Sequence, residues 1–500
     1  MRSQDADQAE AWMVAVESRD ARFDGWITVG VASTGIYCRP SCPTPVRPSR
    51  RHMRFFPTPA SAQQAGFRAC KRCAPDATPG SPEWNRRDDL VARAIRAIDD
   101  GMVDRSGVQG LADHLAVSAR HLHRLLVSEI GASPVALARA RRAKAARILI
   151  ETTEVSFTDV AFAAGFDSIR QFNDTVRSVF AASPTELRGR RSARTPRGQD
   201  WISLRLPFRP PYDADQVLGW LASHAIAGIE EVDGRTYRRS LRLSGGPAVV
   251  ELTFGDERID GRFRVSQLTD LQTALHRCRR LLDLDADPRV INETLGVDPV
   301  LGPIVGSHPG VRSLGAVDGL DALIRTVVHQ QVSVASGRGV LARLVGEYGE
   351  PLVDPVGRVG RLFPSASTWA SLDADSLGLP KARAATLLRV ATALAEERLD
   401  LGPSADRGKA RRELLAVKGI GPWSASIVTL RALGDPDVLV AGDLALVRSA
   451  AALGIAEPLD QAAQRWRPWR SYAMHHLWRQ YMIPTTTDET TDETTDERPC

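Results

Sequence analysis

The chain has 500 residues, too long for one ordinary domain and enough for about three to five. Hydrophobic residues make up 43% of it and charged residues 25%, which excludes wholesale disorder and collagen-like repeats. Six cysteines are too few for a disulfide scaffold, and no run approaches the ~18 apolar residues of a membrane-spanning helix. The polar start MRSQDADQAE lacks the apolar core of a secretory signal. These features predict a cytoplasmic protein with reduced thiols and no membrane partner.

The net charge of +5 is unevenly distributed along the chain. Residues 1–200 carry 30 Lys+Arg against 22 Asp+Glu, residues 201–480 carry 34 against 32, and residues 481–500 carry 1 against 6. The positive excess in the first two-fifths is typical of modules that hold DNA. The repeated TTDE unit near the C-terminus is of low complexity and predicts a disordered acidic tail.

Composition shifts divide the chain into predicted domains. Proline and glycine in PDATPGSPEW end a cysteine-bearing head, and the basic, aperiodic stretch RGRRSARTPRGQ reads as a linker. After Trp201, ISLRLPF, RRSLRLS and AVVELTF predict strands, ADQVLGWLASHA predicts a helix, and helices dominate the remainder. We therefore expect a multidomain α+β chain that is mostly α. The predicted boundaries are 1–80, 81–190, a linker over 191–200, 201–290, 291–482 and a tail over 483–500.

Four of the six cysteines form two close pairs, C-x3-C and C-x2-C, separated by 27 residues. They are Cys38, Cys42, Cys70 and Cys73. In a reduced compartment, two such pairs are typical of one tetrahedral Zn²⁺ site with four thiolate ligands. The spacing alone favours a closed structural zinc that only folds the domain.

The residues around these cysteines add a resemblance. VASTGIYCRPSC and GFRACKRC strongly resemble the N-terminal domain of the Ada family, bacterial sensors of methylated DNA. The resemblance implies that Cys38 is both a zinc ligand and the nucleophile that takes a methyl group from a DNA methyl phosphotriester. Thr34 and Arg68 match positions that hold the phosphate in that family. The following stretch PTPVRPSRR departs from the family pattern by its prolines, so the arginines that contact phosphate there stay unassigned.

Methylation of such a centre changes its charge. Zinc with four thiolates carries a formal charge of −2, and conversion of one thiolate to a thioether leaves −1. Because DNA is a polyanion, repulsion falls and DNA affinity rises. The resemblance thus implies a transcriptional activator that is switched on by methyl transfer.

Two helix pairs follow the head. GLADHLAVSARHLHRLLVSEIGASP and VSFTDVAFAAGFDSIRQFNDTVRSVFAASPTEL each have the length and apolar rhythm of a helix-turn-helix, and both end in a similar Ser-Pro step. Together they resemble the AraC-type DNA-binding domain, which implies promoter DNA and RNA polymerase as partners. The expected DNA contacts on the second helices are Arg120, Arg124, Arg170 and Gln171. The histidines of the first pair are expected in the groove or at the surface.

The second half of the chain contains LPFRPPYDADQVLGWLASHAIAGIEEV and LLAVKGIGPWSASIVTLRALG, and the latter predicts a helix-hairpin-helix. The first segment resembles the N-terminal α+β domain of the AlkA family of 3-methyladenine DNA glycosylases. Lys418, Gly419 and Gly421 form the expected hairpin, whose backbone amides approach a DNA phosphate. The alternative for a glycine pair alone is a simple corner between two helices.

Three further segments carry the AlkA resemblance. Asp443 lies 22 residues after Gly421, where this superfamily places its catalytic carboxylate. HQQVSVASGR matches the segment that enters the minor groove, with Gln331 in place of the family's wedge leucine. RWRPWRSYAMHHLW matches the C-terminal helix, and Trp423 and Trp478 match aromatic positions of the base pocket. Aliphatic residues replace two pocket tyrosines of the family, which leaves the range of bases open.

The resemblance implies removal of bases methylated on a ring nitrogen, without strand cleavage, because Pro422 and Trp423 follow the hairpin where lyase relatives carry a lysine. One alternative is a DNA-binding regulator whose glycosylase-like half is catalytically silent. Another is a repair enzyme whose head is merely a zinc-stabilised DNA clamp. No P-C-H-R motif occurs, so direct reversal of alkylated guanine is not predicted.

Overall fold

The fold is taken from a computed structural model. It describes residues 12–20, 23–45, 48–73, 75, 89–153, 155–189 and 201–482. The predicted linker over 191–200, the acidic tail over 483–500 and Cys500 lie outside them. Among the described helices, none combines the length and the apolar character needed to cross a bilayer.

The head contains a four-stranded sheet with the order β3-β1-β2-β4. Its elements are β1 (Thr28–Val31), β2 (Ile36–Cys38), β3 (Met53–Phe56), helix α1 (Pro59–Gln64) and β4 (Arg68–Ala69). β2 and β4 run in parallel, with Ile36 opposite Arg68. β2 ends at Cys38, and Cys70 follows β4 directly. Both cysteine pairs therefore begin at neighbouring strand ends, which brings thiols that are distant in sequence together.

A helical domain follows the head. Its helices are α2 (Asp89–Asp99), α3 (Met102–His114), α4 (Ala119–Ile130), α5 (Pro134–Thr152), α6 (Phe157–Ala163), α7 (Ile169–Phe180) and α8 (Pro184–Arg188). Ser118 and Ser168 cap the N-termini of α4 and α7 through their side-chain oxygens. Leu122 on α4 and Phe172 on α7 are fully buried. The two predicted helix pairs are thus α3–α4 and α6–α7, and α5 connects them.

The third domain is a five-stranded antiparallel sheet with two helices. It comprises β5 (Ile202–Pro207), α9 (Ala214–His224), β6 (Glu230–Asp233), β7 (Thr236–Leu243), β8 (Gly246–Phe254), β9 (Arg258–Val265) and α10 (Leu271–Leu281), and its strand order is β5-β9-β8-β7-β6. Ile202, Leu204 and Leu206 are the buried residues of β5, so the alternation read from the sequence is that of a strand with one face in the core. Cys278 is buried on α10, as expected for a helix residue.

The fourth domain is almost entirely helical. Its helices are α11 (Pro288–Leu295), α12 (Leu301–Ser307), α13 (Gly319–Val328), α14 (Val334–Tyr348), α15 (Ala366–Ala370), α16 (Lys381–Ala395), α17 (Arg407–Ala416), α18 (Pro422–Leu433), α19 (Leu444–Ala452), α20 (Leu459–Ala462) and α21 (Arg470–Met482). A small hairpin, β10 (Pro351–Val356) and β11 (Val359–Arg361), follows α14. Trp369 and Trp466 are fully buried in two separate apolar clusters.

Buried ion pairs join the sheet of the third domain to helix α13. Glu230 accepts from Arg239 at 2.8 Å and from Arg325 at 2.6 Å, while Asp321 accepts from Arg239 at 3.2 Å and from Arg325 at 2.9 Å. Two carboxylates and two guanidiniums thus compensate one another's loss of hydration. This network fixes α13 against the sheet, and with it the loop that follows α13.

The head is fixed to the second half of the chain by polar contacts. Trp26 Nε1 donates to Asp287 Oδ2 at 2.6 Å, and Arg209 donates to the carbonyl of Asp24 at 3.4 Å. The carboxylate of Asp24 accepts the backbone N–H of Ser41, between the first two cysteines, at 3.0 Å. Asp24, Arg209 and Asp287 are all buried. The cysteine loop and the second half of the chain are therefore linked through a continuous set of hydrogen bonds.

The helical domain that follows the head also contacts the fourth domain. His114 Nε2 lies 2.8 Å from Ser404 Oγ, and Arg93 donates to the Ser404 carbonyl at 3.0 Å. Arg93 also pairs with Asp406 at 3.5 Å. His114 is thus a surface residue that faces another domain.

Candidate functional site

The four paired cysteines form one cluster. One sulfur from each of Cys38, Cys42, Cys70 and Cys73 lies within 4.8 Å of all the others. Cys42 and Cys73 are buried, whereas Cys38 and Cys70 are partly exposed. Four sulfur donors at this spacing fit a single zinc ion and its preference for four thiolate ligands. The predicted cofactor, one Zn²⁺ on four cysteines, is therefore supported by both sequence and geometry.

Crowding of the thiols makes their ionisation interdependent. Hydrogen bonding with Cys38 lowers the pKa of Cys42, and the same contact raises the pKa of Cys38 above its ordinary value. A cluster of four thiolates is stable only with a cation at its centre, because like charges this close repel one another. The chemistry of the donors therefore matches the predicted metal.

Thr34 and Arg68 lie on neighbouring segments of the head. Both are exposed, and the backbone N–H of Arg68 donates to the carbonyl of Gly35, next to Thr34, at 2.9 Å. The turn that carries Thr34 leads into β2 and so to Cys38. The segments that carry these two residues are therefore adjacent, and each leads into one of the cysteine pairs; both residues remain predicted phosphate contacts.

The four predicted contacts of the helix pairs are all exposed. Arg120 and Arg124 project from α4, and Arg170 and Gln171 from the first turn of α7. Arg124 lies 3.3 Å from the Nδ1 of His121, one turn earlier on the same helix face. Their exposure near the starts of second helices suits contact with the major groove.

The predicted hairpin connects α17 to α18. Gly419 has a φ of +101°, and a Cβ at this position would lie 1.9 Å from Thr386 Oγ1. Only glycine therefore fits there. Gly421 caps α18 with a φ of −94°, and a Cβ on it would meet nothing within 4 Å. Lys418, Gly419 and Gly421 are exposed, so the hairpin amides and the lysine are free to approach a phosphate.

Asp443 and both predicted pocket tryptophans form one hydrogen-bonded group. Trp423 Nε1 donates to Asp443 Oδ2 at 3.1 Å, and Trp478 Nε1 donates to Asp443 Oδ1 at 3.1 Å. Oδ1 also accepts the backbone N–H of Leu446 at 3.1 Å, because Asp443 is the N-cap of α19. Three N–H donors from three helices thus fix the orientation of one partly exposed carboxylate.

The sequence interpretation missed a cation behind this group. The guanidinium carbon of Arg431 lies 4.6 Å from the ring centre of Trp220 and 5.8 Å from that of Trp478. Burial lowers the pKa of Arg431 to about 10, and it donates to the carbonyl of Leu314 at 2.5 Å. The signal was present in TLRALG, where a single arginine interrupts the apolar face of a buried helix.

Gln331 lies on the surface loop between α13 and α14. It is exposed and has a φ of +56°, a left-handed conformation that is uncommon outside glycine. The loop adjoins the hairpin, because the side chain of Gln330 donates to the carbonyl of Gly419 at 3.1 Å. The predicted insertion residue and the predicted hairpin are therefore neighbours.

The rim near Asp443 is aliphatic. Leu444, directly after the carboxylate, is 61% exposed. Ile427, one turn after Trp423 on α18, is partly buried against the same apolar cluster. Neither side chain can form a hydrogen bond.

Three family models match successive parts of the chain. The metal-binding domain of Ada matches residues 11–76, a helix-turn-helix domain matches 111–190, and the AlkA N-terminal domain matches 203–318. The chain is also 50% identical over 479 residues to the probable bifunctional transcriptional activator/DNA repair enzyme AlkA of Mycobacterium tuberculosis, with 94% of this chain and 96% of that relative covered. The chain belongs to the family of this activator and repair enzyme. The predicted fusion of an Ada-type sensor with an AlkA-type half is thereby confirmed.

Relatives of the single halves agree with this assignment. DNA-3-methyladenine glycosylase 2 of Escherichia coli is 32% identical over 278 residues, covering 55% of this chain and 95% of that enzyme. The structure of 3-methyladenine DNA-glycosylase from Archaeoglobus fulgidus superposes with a TM-score of 0.50 at 18% identity, covering 56% of this chain and 98% of that one. That likeness shows the shared fold. The predicted fold class, multidomain and mostly α, is confirmed.

Proposed function

We propose that this protein responds to DNA alkylation in two ways. It accepts a methyl group from a DNA methyl phosphotriester on Cys38, which activates it as a transcription factor, and it excises alkylated bases of the 3-methyladenine type. The observation that carries the proposal is that a single chain holds both a four-thiol cluster with an accessible Cys38 and Asp443 fixed between two tryptophans.

The methyl transfer needs a thiolate and an electrophilic methyl carbon. When bound, Zn²⁺ keeps the cysteine thiols deprotonated at neutral pH. The Cys38 sulfur forms a bond to the methyl carbon, the bond from that carbon to the phosphate oxygen breaks, and the phosphodiester leaves as an anion. Thr34 and Arg68 hold the phosphate for this step. The product thioether is neutral, so the head repels DNA less than before.

The double helix-turn-helix then holds the protein at a promoter. Arg120 and Arg124 on α4, and Arg170 and Gln171 on α7, are exposed where second helices enter the major groove. RNA polymerase is the further partner that an activator requires. Replacing one of these four residues weakens promoter binding and leaves the methyl-acceptor reaction intact.

Base excision follows the chemistry of a cationic leaving group. The methylated nucleotide is flipped out of the stack, and its positively charged base meets the electron-rich faces of Trp423 and Trp478. As the bond from the sugar to the base breaks, positive charge develops on the sugar. The Asp443 carboxylate stabilises this charge and orients the water that attacks C1′. The base leaves neutral, since it takes the electron pair of the broken bond.

Water rather than an amine is the proposed nucleophile. Pro422 and Trp423 follow the hairpin, so α18 starts without a lysine to form a Schiff base. The product is then an abasic site in an intact strand.

Incubation of the full-length protein with methylated duplex DNA tests the proposed glycosylase. We expect release of free 3-methyladenine, detected by chromatography, with strand breaks only after treatment with hot alkali. If the wild type releases no methylated base, the protein is a DNA-binding regulator with a silent glycosylase-like half. Strand breaks without alkali would instead overturn the assignment of water as the nucleophile.

A further inference from the structure

The loop between α13 and α14 carries two adjacent glutamines with different surroundings. Gln331 is exposed and is held in the left-handed region, whereas Gln330 is only partly exposed and points back into the protein. Gln331 is the residue that the sequence assigns to insertion into DNA. Gln330, in contrast, forms two hydrogen bonds within the protein.

The Gln330 side chain joins its own loop to two other segments, the hairpin and helix α18. Its Nε2 donates to the carbonyl of Gly419 at 3.1 Å and to the Oγ of Ser424 at 2.8 Å. Gly419 belongs to the hairpin, and Ser424 is a buried residue of α18 that directly follows Trp423. A primary amide has two N–H donors, and here both are used by acceptors on two different segments.

These segments lead to the proposed chemistry. Trp423 donates to Asp443 Oδ2 at 3.1 Å, so Gln330 is connected to the carboxylate through the first turn of α18. Gly419 lies close to Thr386 on α16, because a Cβ there would be 1.9 Å from Thr386 Oγ1. The other acceptor, Ser424, is buried on α18.

We propose that Gln330 is a positioning residue for base flipping. Its two hydrogen bonds fix the position of Gln331 relative to the phosphate-binding hairpin and to the base pocket. Gln331 can then insert into the duplex while the hairpin contacts a phosphate and the pocket holds the flipped base. This inference rests on the proposed glycosylase function. It assigns no contact between Gln330 and the substrate.

The glutamate variant is the sharpest probe, because it keeps the shape of the side chain. In Gln330→Glu both donors are lost, and a carboxylate faces the Gly419 carbonyl at the distance of a former hydrogen bond. Gln330→Met keeps the length without charge, which separates loss of the donors from repulsion. Gln464→Glu is the matched control, since Gln464 is an exposed side chain that also donates to a backbone carbonyl, that of Asp460 at 3.0 Å.

The experiment uses full-length protein and duplexes with a single 7-methylguanine, placed opposite cytosine or opposite an abasic analogue. Single-turnover excision and the fluorescence of an adjacent 2-aminopurine report chemistry and flipping. For both Gln330 variants we expect about 10-fold or greater loss of rate and of flipping signal with the paired lesion. The loss should be largely rescued opposite the abasic analogue, where no pairing opposes flipping. Gln464→Glu should resemble the wild type.

Two results would overturn the inference. If Gln330→Glu and Gln330→Met flip and excise the base at wild-type rates, the hydrogen bonds of Gln330 do not position Gln331. An equal loss with paired and unpaired lesions shows that Gln330 supports the fold or the chemical step, not insertion. Failure of the proposed function is distinguishable, since the wild type then releases no base from either duplex and no 3-methyladenine from methylated duplex DNA.

Discussion

Asp443 and Trp478 are joined by a hydrogen bond in which the indole Nε1 donates to the carboxylate Oδ1 at 3.1 Å. The two residues are 35 positions apart and lie on different helices, α19 and α21. A matching bond from Trp423 reaches the other oxygen of the same carboxylate. We therefore propose two roles for the tryptophans: their faces line the proposed base pocket, and their N–H groups orient the oxygen atoms of the proposed catalytic carboxylate.

Replacement of Trp478 by phenylalanine separates these tasks. The variant keeps an aromatic face but loses the N–H donor to Asp443. Since a hydrogen bond to a charged group contributes about 1.5–3 kcal/mol, we expect the single-turnover excision rate to fall about 10- to 100-fold. Trp201→Phe is the control, because Trp201 packs against Arg262 away from the site. An excision rate within twofold of the wild type for Trp478→Phe would show that the face alone matters.

Replacement of the two hairpin glycines by alanine should affect the free energy of unfolding differently. In Gly419→Ala the Cβ meets Thr386 and the φ of +101° is strained, so we expect a loss of about 1–3 kcal/mol in the free energy of unfolding. Gly421→Ala meets nothing within 4 Å and should unfold like the wild type.

DNA binding by Gly421→Ala tests the hairpin itself. If a phosphate approaches the backbone at this position, the added methyl group weakens duplex binding even though the fold is intact. Gel-shift titration and thermal unfolding together check this. Unchanged DNA affinity in Gly421→Ala would show that the hairpin backbone at this position does not contact DNA.

Loss of the metal centre should abolish methyl acceptance and leave base release intact. In Cys42→Ser the cluster loses one of its four sulfur ligands, and Cys42 is buried, so zinc and the fold of the head depend on it. We expect the bound zinc, measured by native mass spectrometry, to fall from one ion per chain toward none. Methyl acceptance by Cys38 should be lost with it. Because Asp443 lies in another domain, base release per molecule should persist; its complete loss would show that the glycosylase half depends on the head.

Asp283 predicts a pH-dependent stability. Burial raises the pKa of this carboxyl to about 7, above its ordinary value of 3.8. The folded state therefore binds a proton that the unfolded state releases, and its stability falls as the pH rises from about 4 to about 7. Asp283→Asn removes this effect while it keeps an acceptor for the backbone N–H of Ser313. The variant should melt higher than the wild type at pH 8, with a smaller difference at pH 5. Equal differences at both values would contradict a protonated Asp283.

Local patterns predicted much of this molecule. The spacing of four cysteines predicted one cluster, because the pairs sit at the ends of strands that the fold places side by side. Alternation in ISLRLPF predicted β5, and the glycines of the hairpin predicted a turn that the φ of Gly419 requires. Each of these depends on residues that are neighbours in sequence or on a periodicity within one element.

Contacts between distant segments could not be predicted in this way. The link from Asp24 to Arg209 spans 185 residues, and no pattern in either segment specifies the other. The same holds for Arg431, whose position between Trp220 and Trp478 depends on how three helices pack. The resemblance singled out Gln331, but no sequence pattern indicated that Gln330 donates to Gly419 and Ser424, because those contacts depend on how the loop packs against α18.

The most direct test of the account is one incubation of the full-length protein with methylated duplex DNA, followed by mass spectrometry of both protein and released bases. We expect one added methyl group on Cys38 and free 3-methyladenine from the wild type. In Asp443→Asn the methyl signal should remain while base release falls about 100- to 1000-fold. An unmodified Cys38 in the wild type, or undiminished base release by Asp443→Asn, would contradict the account.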